Sequence, residues 1–173
     1  GGGLSVSAGD VNVSANSTMT IDIASGATLT TDGGDVNISG LHSNTAYGVF
    51  SSAGGGVISV TTGDVRATAL GATTVSFYGN VDDGQGTQTN NLNVEAQTYT
   101  VSEASFGVKS GGLVDVSSTG TVAARTDADQ TLNFASGSSV MHLADGIAVT
   151  SNLITDADSK SESAGGGGVK VTS

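Results

Sequence analysis

The hexapeptide Gly9-Asp10-Val11-Asn12-Val13-Ser14 returns in altered form along the whole chain, and repetition at this interval restricts the chain to a stacked, solenoid-like fold. The copies are Val11-Asn12-Val13, Val36-Asn37-Ile38, Val65-Arg66-Ala67, Leu92-Asn93-Val94, Val122-Ala123-Ala124 and Ile147-Ala148-Val149. Three of the six are introduced by Gly-Asp, at Gly9-Asp10, Gly34-Asp35 and Gly63-Asp64. The interval between successive copies varies only slightly, which is too regular for composition alone and too variable for fixed-length blades or hairpins.

Two further alternating patterns recur between the copies. A Gly-rich arm stands at Gly1 to Val6, Gly54 to Val60, Gly111 to Val116 and Gly166 to Val171, and its closing valines return at twice the interval of the hexapeptide. A second arm, Thr20-Ile21-Asp22-Ile23, returns as Thr74-Val75-Ser76-Phe77 and Thr131-Leu132-Asn133-Phe134, again at the doubled interval. In the intervening copies the second arm reads Tyr47-Gly48-Val49 and Phe106-Gly107-Val108, so copies alternate in type. Apolar residues alternate with Ser, Thr, Asn and Asp in nearly all arms, the period of strands with one buried face. The expected fold is all-β, a right-handed parallel β-helix (β-solenoid) of about six rungs of about 27 residues with three short strands per rung. Residues 1–173 read as a single segment of it, rising roughly 30 Å at ~4.8 Å per turn.

Composition agrees. Twenty-seven glycines suit tight corners, and the absence of Pro suits parallel ladders that need every backbone N–H. There is no Cys, so the ladder and not a disulfide framework must hold the chain together. The net charge of −11, with five basic residues, argues against nucleic acid and against anionic membrane as partners. No apolar run approaches the length of a membrane-spanning helix.

The first and last residues both fall inside the repeat, which predicts a fragment of a longer repetitive protein or a subunit that stacks end to end. The polar run Asn80 to Thr87 is the expected excursion from the rod. The stretch Asp156 to Ser163 lacks apolar alternation and is expected to loop out.

Gly54 to Val65 (GGGVISVTTGDV), Gly111 to Val122 (GGLVDVSSTGTV) and Tyr47-Gly48-Val49 resemble the passenger domains of bacterial autotransporters and the related filamentous-haemagglutinin exoproteins. The resemblance covers nearly the whole chain through motifs low in information. It implies a right-handed β-helix exported to the cell surface, serving as a stalk or adhesin, and it carries over no binding residue.

Candidate sites are few. Asp10, Asp35 and Asp64 hold the same place in consecutive copies, with Asn91 and Thr121 next, and a vertical file of carboxylates would offer Ca²⁺ its oxygen ligands. The competing role is to accept local backbone N–H groups, which Asn and Thr also do without preserving charge. Asp82 and Asp83, like Asp127/Asp129 and Asp156/Asp158, are further calcium candidates but lack EF-hand spacing. The aromatics Tyr47, Phe50, Phe77, Tyr78, Tyr99, Phe106 and Phe134 form either a carbohydrate-stacking stripe or interior packing, with Ile23 in the place of Phe77 and Phe134 favouring the interior. Arg66 and Arg125 read as outward residues. His42 and His142 lie in non-equivalent places, and no Gly-x-Ser-x-Gly motif is present, so no catalytic residue and no cofactor is assigned.

The expected function is that of a structural shaft, a secreted or cell-surface rod acting as rigid spacer and adhesive or matrix-forming fibre. Its partners would be other cell surfaces, matrix polysaccharide or like chains, through end-to-end or lateral self-association. The competing classes are a polysaccharide lyase or hydrolase, which would need clustered carboxylates in a groove, and a calcium-stabilised solenoid.

Overall fold

The computed structural model of the chain describes residues 3–81, 88–134, 142–166 and 168–172. Its strands are β1 (Leu4–Ala8), β2 (Val11–Ile23), β3 (Thr28–Leu29), β4 (Val36–Gly54), β5 (Ile58–Phe77), β6 (Asn80–Val81), β7 (Thr89–Ser110), β8 (Val114–Phe134), β9 (Leu143–Gly165) and β10 (Val169–Thr172). Every pairing is parallel, and no helix occurs among the described residues. In one sheet β1 and β2 lie end to end along β5, followed by β8 and β10; the second sheet runs β4-β7-β9, and β3 pairs with β6 at a corner. The fold is thus a parallel β-solenoid whose two main sheets face each other across the core.

The register sets the length of a turn. Val11 pairs with Val65 and Val65 with Val122, while Val36 pairs with Leu92 and Leu92 with Ile147. One turn therefore spans two copies of the hexapeptide, not one, and contributes one long strand to each sheet where three short strands per rung were expected. The two alternating kinds of copy are the two sheets; the shared motif stands directly before β4 in one and lies within β5 in the other. Turn lengths are not identical, and the excess is absorbed as register shifts between Gly63 and Val65 on β5 and between Thr89 and Asn91 on β7.

The inward residues fall in bands across the strands. Val36, Ile38, Val75, Phe77, Leu92 and Val94 form one apolar cluster, with Ile21, Ile23 and Leu29 packed against it. Ala46, Val65, Ala67, Ala104, Phe106 and Val108 form the other. Between them lies a polar band in which the Thr98 hydroxyl donates to Thr73 Oγ1 at 2.7 Å, both residues being buried. Ile23, Phe77 and Phe134 share one file, as their sequence equivalence implied, and the two Phe rings stack at 5.5 Å. Phe50 and Phe106 stack at 5.1 Å and 7° in the second cluster.

The Gly-rich arm departs from the expected pattern. Leu4 and Val6 are apolar at even positions, whereas Val11 and Val13 after Gly9-Asp10 are apolar at odd ones; Ile58, Val60, Val65 and Ala67 repeat the change. A corner at Gly-Asp would have let both halves bury their apolar side. Instead β5 runs straight through Gly63-Asp64, so alternation along the strand sends the two halves to opposite faces. The longer half, ending in Val75 and Phe77, takes the interior. The arm consequently buries Ser59 and Thr61 and turns Ile58 and Val60 outward.

The stretch Asp156 to Ser163 does not loop out. It lies within β9 and pairs residue by residue with Val101 to Val108 of β7, although its side chains stay largely exposed. Backbone pairing does not need side-chain alternation, and here the ladder alone carries the strand. Of the expected excursion at 80–87, Asn80–Val81 is strand β6, and residues 82–87 fall outside the described residues.

Candidate functional site

The acidic residues of the Gly-Asp motif do not form one file. Asp10, in the gap between β1 and β2, stands beside Asp64 within β5 and then Thr121 within β8, while Asp35 stands beside Asn91 at the entry to the second sheet. Half a turn separates the two sets. Within each set the carboxylate reaches one turn onward: Asp10 Oδ1 accepts the N–H of Asp64 at 3.1 Å, and Asp64 Oδ1 accepts the N–H of Thr121 at 2.7 Å. Asp35 Oδ1 accepts both the backbone N–H and the side-chain amide of Asn91 at 3.1 Å. These bonds sit where the parallel ladder is locally irregular, and the carboxylates take up N–H groups that the ladder leaves over.

Asp64 is also paired with Arg66 at 3.5 Å. Among the described residues no group of three or more Asp, Glu, His or Cys side chains converges as a metal site would require. Asp82 and Asp83 lie outside the described residues. As calcium candidates they rest on sequence alone.

The aromatic residues divide. All four Phe rings are in the stacked interior pairs, whereas Tyr47, Tyr78 and Tyr99 are exposed. The tyrosines do not share a file: Tyr47 pairs with Glu103 and Tyr99 with Ser43, while Tyr78 sits at the corner after β5. Arg66 and Arg125 point outward as expected, and Arg125 pairs with Asp127 at 3.2 Å. On the outer face of the first sheet Asp127 and Asp129 rim a shallow hollow floored by Leu70, Gly71 and Ala72, with Asn16 on its far side. Small residues on β5 make it.

The buried polar groups are harder to read from sequence. His42 is inward on β4, and its Nε2 is hydrogen-bonded to Ser17 Oγ at 2.7 Å. Gly71 lies against the ring, and a Cβ there would meet His42 Cε1 at 2.8 Å and Thr100 Cγ2 at 2.9 Å. Asn44 closes the same band by donating from Nδ2 to the carbonyls of Ala15 and Leu70, at 3.0 and 2.5 Å. Among the described residues His42 Nδ1, Thr100 Oγ1 and Ser102 Oγ have no hydrogen-bond partner.

A second polar band lies under the Gly-rich arm. There Asp115 occupies the inward file of Ser5 and Ser59, with Lys170 next. Asp115 Oδ2 accepts from the Ser110 hydroxyl, and among the described residues Oδ1 is buried without a partner. Lys170 Nζ donates instead to the Ser163 carbonyl at 3.1 Å. The signal for these residues was present in the sequence, in the parity change at Gly-Asp, but it became legible only once the strand was known to run straight.

Among the described residues the perturbed charges lie on the exposed face of β9. The Lys160 ammonium and the Glu162 carboxylate are 2.7 Å apart; their mutual hydrogen bond, reinforced by their attraction, raises the lysine and lowers the glutamate from their ordinary pKa values. The described surface thus offers backbone-satisfying carboxylates, a shallow acidic hollow and an outward apolar arm. Comparison with known proteins adds no identity to this picture, since no family model, no curated protein and no solved structure matches the chain.

Proposed function

We propose that the chain is a structural shaft, a stiff rod of a secreted or cell-surface fibrous protein of the autotransporter-passenger or filamentous-haemagglutinin kind, acting as spacer and adhesive or matrix-forming element. The observation that carries this reading is the stacking of whole turns in parallel register, with β5, β7, β8 and β9 paired over nearly their full length. Each turn hydrogen-bonds only to its neighbours, so added turns lengthen the rod without altering its section. Bending it would break many ladder bonds at once.

Its surface suits that role. Ser, Thr and Asn recur on the outward files of both sheets, and the charge of −11 keeps a strand-rich rod apart from its neighbours and from anionic lipid. In this reading the chain does no chemistry and needs no cofactor; its partners are polysaccharide, other surfaces or like chains.

Electron microscopy of the native material beside the purified chain tests the proposal. Smooth fibres of uniform width, with a ~4.8 Å axial repeat in diffraction, are the expected result. Compact particles together with cleavage of acidic or neutral polysaccharides would replace the shaft with an enzyme. Melting in chelator and in added calcium separates the third class, because a calcium-stabilised solenoid loses stability when the ion is removed.

A further inference from the structure

The outward apolar arm forms a continuous strip on the first sheet. Leu4, Ile58, Val114 and Val169 stack in one outward file, and Val6, Val60, Val116 and Val171 stack in the next. Val57 and Leu113 extend it at the corner. Exposure is highest at the end strands and the corner, at 67% for Leu4, 62% for Val6 and 66% for Leu113, while Val60, Val114 and Val116 between them are partly exposed. The outward neighbours just beyond are Ala8, Thr62 and Ser118, so no charge interrupts the strip, although the chain as a whole carries −11. Contiguous apolar surface of this kind marks an interaction site more often than chance exposure does.

We propose that this strip is a lateral contact through which two copies of the chain pair face to face. Its geometry selects the occupant. The side chains stand on a ladder repeating every ~4.8 Å, and two such ladders turned over onto each other interdigitate as the inner faces of packed sheets do, ~10 Å apart. A two-fold contact uses the same patch on both copies and needs no second complementary surface. Charge points the same way: two acidic rods repel along most of their surface, and the strip is where they can touch without opposing carboxylates.

The strip is small. Counting each half-exposed aliphatic side chain at about 60–80 Å² gives roughly 600 Å² per copy, below the ~800 Å² that each partner buries in a standard stable complex. The pairing is therefore weak and reversible between free chains, with a dissociation constant on the order of 10–100 µM. Repeated along a rod it would act many times over. The inference concerns the strip alone: a shaft can serve as a spacer without lateral partners, and a strip can pair chains that are not shafts.

Sedimentation equilibrium of the full chain, from micromolar to millimolar and at low and high salt, reads the association. The expected result is a weight-average mass rising from 16.8 kDa towards twice that value, more steeply at high salt because screening removes the acidic repulsion. The double variant Val6→Asp/Leu113→Asp should stay monomeric, shifting the midpoint at least tenfold. Its far-UV circular dichroism should match the parent, since both side chains face solvent. Asn12→Asp, a like charge on the same sheet's outer face outside the strip, should pair as the parent does.

A parent chain that remains monomeric at millimolar concentration overturns the proposal. So does a double variant that folds and pairs as well as the parent, which would place the contact elsewhere, such as at the turn ends. Strip-dependent flotation of a monomeric parent with phosphatidylcholine vesicles would assign the strip to lipid and overturn it equally.

Discussion

Strands β7 and β9 lie side by side in the same sheet, in register from Asn91 to Ser110 of β7, yet one buries its whole inner file from Leu92 to Val108 and the other is almost wholly exposed. Val94 is 1% exposed and its ladder partner Val149 is 53% exposed. The backbone of β7 is paired on both sides, by β4 and by β9, whereas among the described residues β9 is paired with β7 alone. The difference is overhead cover: β7 packs between β5 and β8, whereas among the described residues only β10 carries the first sheet beyond β8. In a solenoid, burial is a property of the neighbouring turn more than of the strand's own sequence. Stability is accordingly graded along the axis, with slow amide exchange expected in β7 and faster exchange in β9.

The largest test of this comparison is a pair of truncations. Phe106→Ala removes a ring that is 1% exposed and stacked on Phe50, and should cost about 3–5 kcal/mol in chemical denaturation. Ile147→Ala, in β9 at 48% exposure, should cost about 1 kcal/mol. Equal losses would mean that β9 is covered in solution as β7 is.

A gain is expected at Asp115. Its file holds Ser5 and Ser59 on one side and Lys170 on the other, but the Lys170 ammonium is turned to the Ser163 carbonyl, and one carboxylate oxygen of Asp115 is buried without a partner among the described residues. Asp115→Ser should raise stability by about 1–3 kcal/mol, because an incompletely bonded buried carboxylate costs more than a serine in the same place. A drop in melting temperature would show that the carboxylate is better satisfied than the contacts of its two oxygens suggest.

Asp64→Ala probes the links between turns. It removes the acceptor for the Thr121 N–H and the partner of Arg66, and should cost about 1 kcal/mol. Asp64→Asn keeps an acceptor oxygen and should recover most of the loss. If Asp64→Asn recovers nothing and the parent alone is stabilised by added calcium, the ion-binding role is favoured instead.

The smallest effect is on the exposed face of β9. Lys160→Ala should leave the melting temperature unchanged within error, since both partners of the ion pair are open to solvent. The sign of any residual contribution follows from the shifts. Glu162 is lowered, so its share is present at neutral pH and lost as pH falls through its depressed value; Lys160 is raised, so its share is lost as pH rises through its elevated one. A clear neutral-pH destabilisation in Lys160→Ala would show that this face of β9 is covered in solution.

Much of this was written in the chain at one level and hidden at another. The equivalence of Val6, Val60, Val116 and Val171, and of Ile23, Phe77 and Phe134, is visible as recurrence at the doubled interval, and the ladder pairs those very residues. The halved interval arose because both sheets carry the same Gly-Asp-Val motif, within β5 in one and at the start of β4 in the other, and the motif says nothing about which sheet it joins. Asp10, Asp35 and Asp64 looked equivalent for the same reason, although the fold separates Asp35 from the other two.

Local sequence, then, determined the all-β class, the parallel stacking and which residues are equivalent at the doubled interval, because period-two alternation and regular spacing are properties of the chain itself. Tertiary structure alone decided which side of the Gly-rich arm lies inside. Its alternation by itself favours burying the apolar face, and that preference was overridden by β5 running straight through Gly63-Asp64 and by the larger apolar half claiming the core. That competition between two halves of one strand buried Asp115 and left Leu4, Val6 and Ile58 facing solvent.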